Sequence, residues 1–251
     1  LKGQLTVGSL FSGIGGLDLG LERAGMRVIW QSEIDGYACR VLNKHWPDVP
    51  NIGDITQVDW SQIERPDVIC GGYPCQPFST AGKRKGENDE RHLWPYVREA
   101  ISHLRPRYAI LENVRGHLSL GGLTVIGELA TIGYDAEWRI VRATDVGASH
   151  IRERIFIVAY PHNPRGEHEN ATGSPQTQVG GWDAVFVEAY AGYCDQVSAG
   201  QWLLEPGVGR TADGVPHRVD RLAGLGNAVV PQVAEVIGRL VVAHNARETA
   251  L

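Results

Sequence analysis

The run from Leu5 to Ala24 limits the fold most. An apolar strand, Leu5 to Leu10, meets the turn Phe11–Ser12–Gly13–Ile14–Gly15–Gly16, and a helical pattern follows through Leu17, Leu21 and Ala24. Strand, glycine turn and helix in that order make a nucleotide-binding opening of an α/β sheet. The glycines let the main chain come close to a ligand, and the free amides at the helix start favour a carboxylate or phosphate there. A dinucleotide fingerprint would have a third glycine at position 18, but the chain has Asp18, which removes the main support for a nicotinamide cofactor. The second strand, Arg27 to Ser32, ends at Glu33. An acid there can accept hydrogen bonds from both ribose hydroxyls; taken alone it is as readily a solvated strand end.

A helix is expected from about Gly36 to Trp46. Asn51 to Ile55 then puts Asp54 at the end of another expected strand, where it serves either as acceptor for an adenine amino group or as a plain turn residue. The apolar run Asp67 to Cys70 leads into Gly71–Gly72–Tyr73–Pro74–Cys75–Gln76–Pro77–Phe78–Ser79. A lone cysteine is more often a small core hydrophobe, but one between two prolines, just past two glycines, sits on a stiff loop suited to close approach. Lys83, Arg84 and Lys85 stand between Gly82 and Gly86. Such a run is either a solvated face or a lid over a phosphate backbone. Further strands and helices are expected at Leu93 to Leu104, Tyr108 to Leu111, Thr124 to Ile132 and Glu137 to Arg142. Arg152 and Arg154 share one face of a strand that begins there, because side chains alternate with period two.

Four elements in order, Pro74–Cys75–Gln76, Glu112–Asn113–Val114, Arg152–Glu153–Arg154 and Gly226–Asn227–Ala228–Val229, resemble the motifs of the DNA cytosine C5 methyltransferases. The resemblance covers the chain except for 159–217. It implies an α/β, Rossmann-like S-adenosylmethionine-dependent methyltransferase fold with a small inserted target-recognition lobe. The implied divisions are a catalytic and cofactor-binding domain at 1–158, the lobe at 159–221, and a C-terminal segment at 222–251 that returns to the first domain. The cofactor implied is S-adenosyl-L-methionine, leaving as S-adenosyl-L-homocysteine, with Phe11, Ser12, Gly13, Ile14, Gly15, Gly16, Glu33, Ile34, Asp54, Ile55, Asn227 and Val229 around it. Phe11 and Ile34 would pack on the adenine. Cys75 would add to C6 of a flipped-out cytosine, Glu112 would donate to N3, and Arg154, supported by Arg152, would face O2. A free thiol is only a few per cent thiolate at neutral pH, so both reactants need activation. Three departures stand out: His150 replaces the usual glutamine, Arg218 to Leu222 replaces the pattern that normally closes the lobe, and Arg91 and Leu93 are one residue short of the family spacing.

Charge gives no general support for nucleic-acid binding. The net charge is −5, and 159–217 accounts for all of it, with two basic against seven acidic side chains. Any DNA contact is therefore expected from local basic patches. The four cysteines, Cys39, Cys70, Cys75 and Cys194, lack the spacing of a zinc site or disulfide scaffold, so reduced thiols and no metal are expected. No apolar run suggests a membrane span and no signal peptide is legible, which makes the cytoplasm the expected compartment. Double-stranded DNA is the expected partner, a restriction nuclease a functional rather than physical one, and a monomer the simplest state. The alternatives are a transfer RNA methyltransferase of the same fold, whose cysteine-phenylalanine-threonine signature is absent, a dinucleotide-dependent oxidoreductase, and a non-catalytic binding module.

Overall fold

The computed structural model describes residues 3–74, 93–117, 121–162 and 218–249. Six strands form one mixed sheet: β1 (Thr6–Leu10), β2 (Arg27–Ser32), β3 (Val68–Gly71), β4 (Tyr108–Val114), β5 (Tyr134–Arg142) and β6 (Glu153–Pro161), in the order β2-β1-β3-β4-β6-β5. β1 to β4 run parallel, while β6 lies antiparallel between β4 and β5. The chain steps from β1 outward to β2 and then back across to β3. This opens a crevice at the carboxyl ends of β1 and β3, the switch point where open α/β sheets bind ligands. The expected Rossmann-like α/β fold is what the chain adopts.

Period-two alternation divides the core between the two faces. Val7, Val68, Ile110, Phe156 and Val158 face α1 (Gly16–Arg23), while Ile69, Ala109, Leu111, Ile155 and Ile157 lie with α3 (Trp94–Leu104) and α4 (Leu123–Thr131). One further helix, α2 (Gly36–His45), follows β2, and its N-cap Asp35 accepts from the amides of Tyr37 and Ala38. At the C-terminal end come α5 (Arg218–Asn227) and α6 (Pro231–Glu248). The stretch Gly224–Glu248, from the end of α5 through α6, is long and apolar enough to cross a membrane by length and composition, and half of its most apolar part is buried. That apolar side packs on α1.

Glycine makes the α1–α6 contact close. A Cβ on Gly20 would stand 2.4 Å from both the Ala234 Cβ and the Pro231 carbonyl oxygen. Gly20→Ala is therefore expected to destabilise the protein by about 2 kcal/mol, because a clash with main-chain atoms costs toward the upper end of the roughly 1–3 kcal/mol of overpacking, against the roughly 1 kcal/mol that alanine gains in a helix. A urea denaturation curve unchanged from the wild type would refute this packing account.

One sequence expectation is corrected. Asn51 to Ile55 is not a strand: Asn51 makes only an isolated bridge to Gln31, Gly53 turns the chain at φ 78°, and Asp54 caps a short 3-10 helix, Ile55–Gln57. β6 continues through positions 158 and 159, and α5 runs through 221 and 222 in a glycine-rich stretch where no helix was expected. Cys75, Lys83 to Lys85, Arg91 and the stretch 163–217 lie outside the described residues.

Candidate active site

The turn after β1 and the loop after β3 both reach the switch-point crevice. Phe11 there has φ 51°, unusual for a bulky side chain, and Gly15, at φ 83°, caps α1 where a Cβ would strike the Trp46 ring at 2.5 Å. A Cβ on Gly16 would come within 2.3 Å of the Val229 carbonyl oxygen. The Gly226–Val229 element thus lies directly against the glycine turn, as the resemblance implies.

A cavity of about 310 Å³ opens between these elements. Its wall takes in Phe11, Ser12, Gly13, Ile14 and Gly16 from the turn, Glu33 after β2, Asn227 and Val229 from the C-terminal segment, and Gly72 with Glu112 from the ends of β3 and β4. Glu33 is held firmly at the rim: Oε2 accepts from the Gly13 amide at 2.7 Å, and Oε1 accepts from the Ile34 and Asp35 amides at 2.8 Å each. Ile34 stands 71% exposed beside it. Asp54 is exposed and engaged with Thr56, and Ile55 is buried in the core on the α3 side. Gly15 faces Trp46.

A buried polar network underlies the turn. Asp18, fully buried, accepts from Ser9 Oγ at 3.0 Å and Gln31 Nε2 at 2.8 Å, and Ser12 Oγ donates to Ser9. Sequence reading registered Asp18 only as a missing glycine; polar residues at Ser9 and Gln31 inside otherwise apolar strands were the available signal. Burial pushes the Asp18 carboxyl up to about 6 from 3.8. The folded state keeps this proton up to about pH 6 while the unfolded chain releases it near 3.8, so stability falls as pH rises through that window. The loss amounts to about 3 kcal/mol. Asp18→Asn is expected to flatten this slope in unfolding curves taken between pH 4 and 7; an unchanged slope would assign it to other groups.

Glu112 sits at the inner end of the cavity, 8% exposed. Its strand pairs with β6 so that Val114 lies opposite Arg154 and Glu112 opposite Phe156, which puts Arg154 diagonal to Glu112 on one face. Arg154 Nε lies 2.8 Å from Glu112 Oε1, yet its N–H is not aimed along that line, and Oε1 has no hydrogen-bond partner among the described residues. Burial pushes the Glu112 carboxyl up, opposed by Arg154 and then Arg152. A Cβ on Gly72 would meet Glu112 Oε2 at 2.8 Å, so the glycine makes room for the carboxyl. Arg152 is spent differently: Nη2 donates to the carbonyls of Gly226 and Ala228 at 2.7 and 2.8 Å. It clamps the C-terminal element, while Glu153, on the other face, pairs with Arg115 and Arg142 at 2.9 Å each.

Sequence reading missed Asp35, Tyr37, Asp220 and Gly224, which also line the cavity. Asp35 was detectable as a helix cap two residues past Glu33; Asp220 and Gly224 depend on α5.

Residues 5–181 match the family described as C-5 cytosine-specific DNA methylase. The chain is 32% identical to the Type II methyltransferase M.BsuFI of Bacillus subtilis over 86% of its own length and 53% of that protein. It is 37% identical to the Type II methyltransferase M.NgoMIV of Neisseria gonorrhoeae, over 62% of this chain and 52% of that protein. The chain thus spans about half the length of these curated relatives. The crystal structure of the S. pombe Dnmt2 methyltransferase covers 96% of this chain and 98% of its own, with a TM-score of 0.63 at 14% identity, which shows a shared fold.

Proposed function

The chain belongs to the C-5 cytosine-specific DNA methylase family, and from that premise we propose that it methylates C5 of cytosine in double-stranded DNA with S-adenosylmethionine as donor. One observation carries this reading: a single cavity joins the glycine turn and Glu33 to the buried Glu112 beside Gly72, so a donor site and a reacting site are continuous. The cofactor supplies the methyl group. The turn amides and Glu33 would hold its polar ends, Phe11 would pack on the adenine, and the Gly226–Val229 element would close the opposite wall. Within this proposal Ile34 packs on the adenine and Asp54 accepts from its amino group, while Ile55, whose side chain lies in the core, can offer only its main chain.

The target cytosine would leave the duplex at a cost of a few kcal/mol and enter beside Glu112. The Cys75 thiolate then bonds to C6 while Glu112, protonated by virtue of its burial, donates to N3. C5 takes the methyl group as its bond to the donor sulfur breaks and S-adenosyl-L-homocysteine is left; water then takes the C5 proton as the C6–S bond breaks, the thiolate departs and N3 returns its proton to Glu112. Arg154 offsets charge on O2, and Arg152 keeps the cofactor wall in place. Residues 159–221 are the recognition lobe in this proposal. The enzyme acts as a monomer and is paired with a restriction nuclease in function only, as the Type II naming of its relatives suggests.

The test is transfer of labelled methyl groups from S-adenosylmethionine to unmethylated mixed-sequence duplex DNA, read by base-resolution sequencing. Label at cytosine C5 is expected. Label confined to RNA, or none despite bound cofactor, would overturn the proposal.

A further inference from the structure

The parallel ladder between β3 and β4 ends at Gly71 opposite Leu111. Beyond that point the two strands serve different duties, one leading through Gly72 and Pro74 to Cys75, the other carrying Glu112. Tyr73 holds them together. Its carbonyl accepts from Asn113 Nδ2 at 3.1 Å, and its hydroxyl lies 2.7 Å from His117 Nε2. Its ring packs on Trp94, with centroids 5.4 Å apart, and meets the His117 ring near-perpendicularly at 5.4 Å. Trp94, the first residue of α3, is itself anchored by its indole N–H to Glu128 at 2.8 Å.

The hydroxyl–imidazole pair is buried, Tyr73 being 4% and His117 3% exposed. Buried polar pairs need a reason, since a hydroxyl or imidazole is costly to remove from water. Phenylalanine and leucine would fill this volume without polar atoms, so the directional bond is what the pair adds. Burial also holds the imidazole pKa below the usual histidine value, which keeps the ring neutral and leaves one nitrogen free to accept. His117 Nδ1 has no partner among the described residues.

We propose that Tyr73 and His117 form a latch that fixes the main chain at Gly72–Pro74 against the Glu112–Asn113 end of β4, making both positioning residues for the methyl transfer assigned above. This rests on that assignment. Neither side chain touches the reacting atoms. Their role is to set the distance between two groups that the sheet ladder no longer controls.

Tyr73→Phe, His117→Leu and the double variant test the latch. Each single change strands a buried polar atom, whereas the double removes both partners. The expected result is a single-turnover methyl-transfer rate lowered at least about fivefold in each single variant, with S-adenosylmethionine affinity unchanged, and a double variant no slower than the slower single, because either change already removes the bond. Singles at the wild-type rate, a double variant restored to the wild-type rate, or a double as slow as the product of the two losses, would overturn the latch. Tyr73→Phe keeps the ring and its Trp94 contact, and so decides the matter should His117→Leu fail to fold. Peptide-resolved alkylation of Cys75 by iodoacetamide needs no DNA and is expected to follow the same pattern, with the singles altered and the double altered like them. A wild type that methylates nothing would therefore overturn the methyltransferase reading alone, and the thiol would still decide the latch: equal alkylation in all four proteins would overturn it.

Discussion

Cys75→Ala is expected to abolish methyl transfer, with a loss on the order of 10⁴-fold or more, the scale seen when a covalent nucleophile is removed, while S-adenosylmethionine binding stays near the wild-type value. The separation follows from the layout. Among the described residues, the cavity wall around the glycine turn, Glu33 and Val229 takes nothing from the β3 exit loop beyond Gly72. The described cysteines do not compete for the role. Cys70 is fully buried and its thiol is pushed far up by burial and by Asp18. Cys39 is pushed up by burial and by Glu33, and donates to the Glu33 carbonyl. Raised thiols are poor nucleophiles near neutral pH. Isothermal titration with cofactor and a single-turnover transfer assay on the same preparation check both halves. Parallel loss of binding and transfer would remove Cys75 from the nucleophile's role and make it a residue of the cofactor site.

Glu112→Gln should have the second-largest effect, a fall in the transfer rate of about 10²–10⁴-fold, the usual range for a general acid. The amide can still donate a hydrogen bond, but it cannot supply a proton. pH dependence gives the sharper test. Burial raises the Glu112 pKa, so the protonated form persists above the usual glutamate range and is lost as pH rises through the raised value. Wild-type rates should climb with pH as the thiolate forms and then fall as Glu112 ionises. The variant should keep the climb and lose the fall. A falling limb that survives in Glu112→Gln would assign it to another group. The same raised pKa means that burial of Glu112, like that of Asp18, costs stability progressively as pH rises through it.

Local patterns carried much of the molecule. The strand–turn–helix opening, the end of β2 at Glu33, β3 leading into the cysteine loop and β4 leading into Glu112 were legible because a parallel strand, buried on both faces, reads as an unbroken apolar run. The pairing of Arg152 and Arg154 on one side followed from period two. Less legible was anything that depends on chain segments far apart in sequence. Asn51 to Ile55 read as a strand because nothing local shows that Gly53 takes a positive φ. Helix α5 was hidden by its glycines, one of which, Gly224, packs its open side against Ile14 and Tyr37.

By itself, then, the sequence determined the α/β class, the order of the motifs and the residue types available for the chemistry, since these depend on periodicity and on covalent order. Tertiary structure alone decided how those residues divide the work. Arg154 reaches Glu112 while Arg152, two residues away, clamps the carbonyls of Gly226 and Ala228; Asp18 becomes a buried acid; Tyr73 meets His117 across 44 residues. Each outcome depends on desolvation and on which distant backbone comes within hydrogen-bonding reach, and neither quantity exists until the sheet has brought the strand ends together.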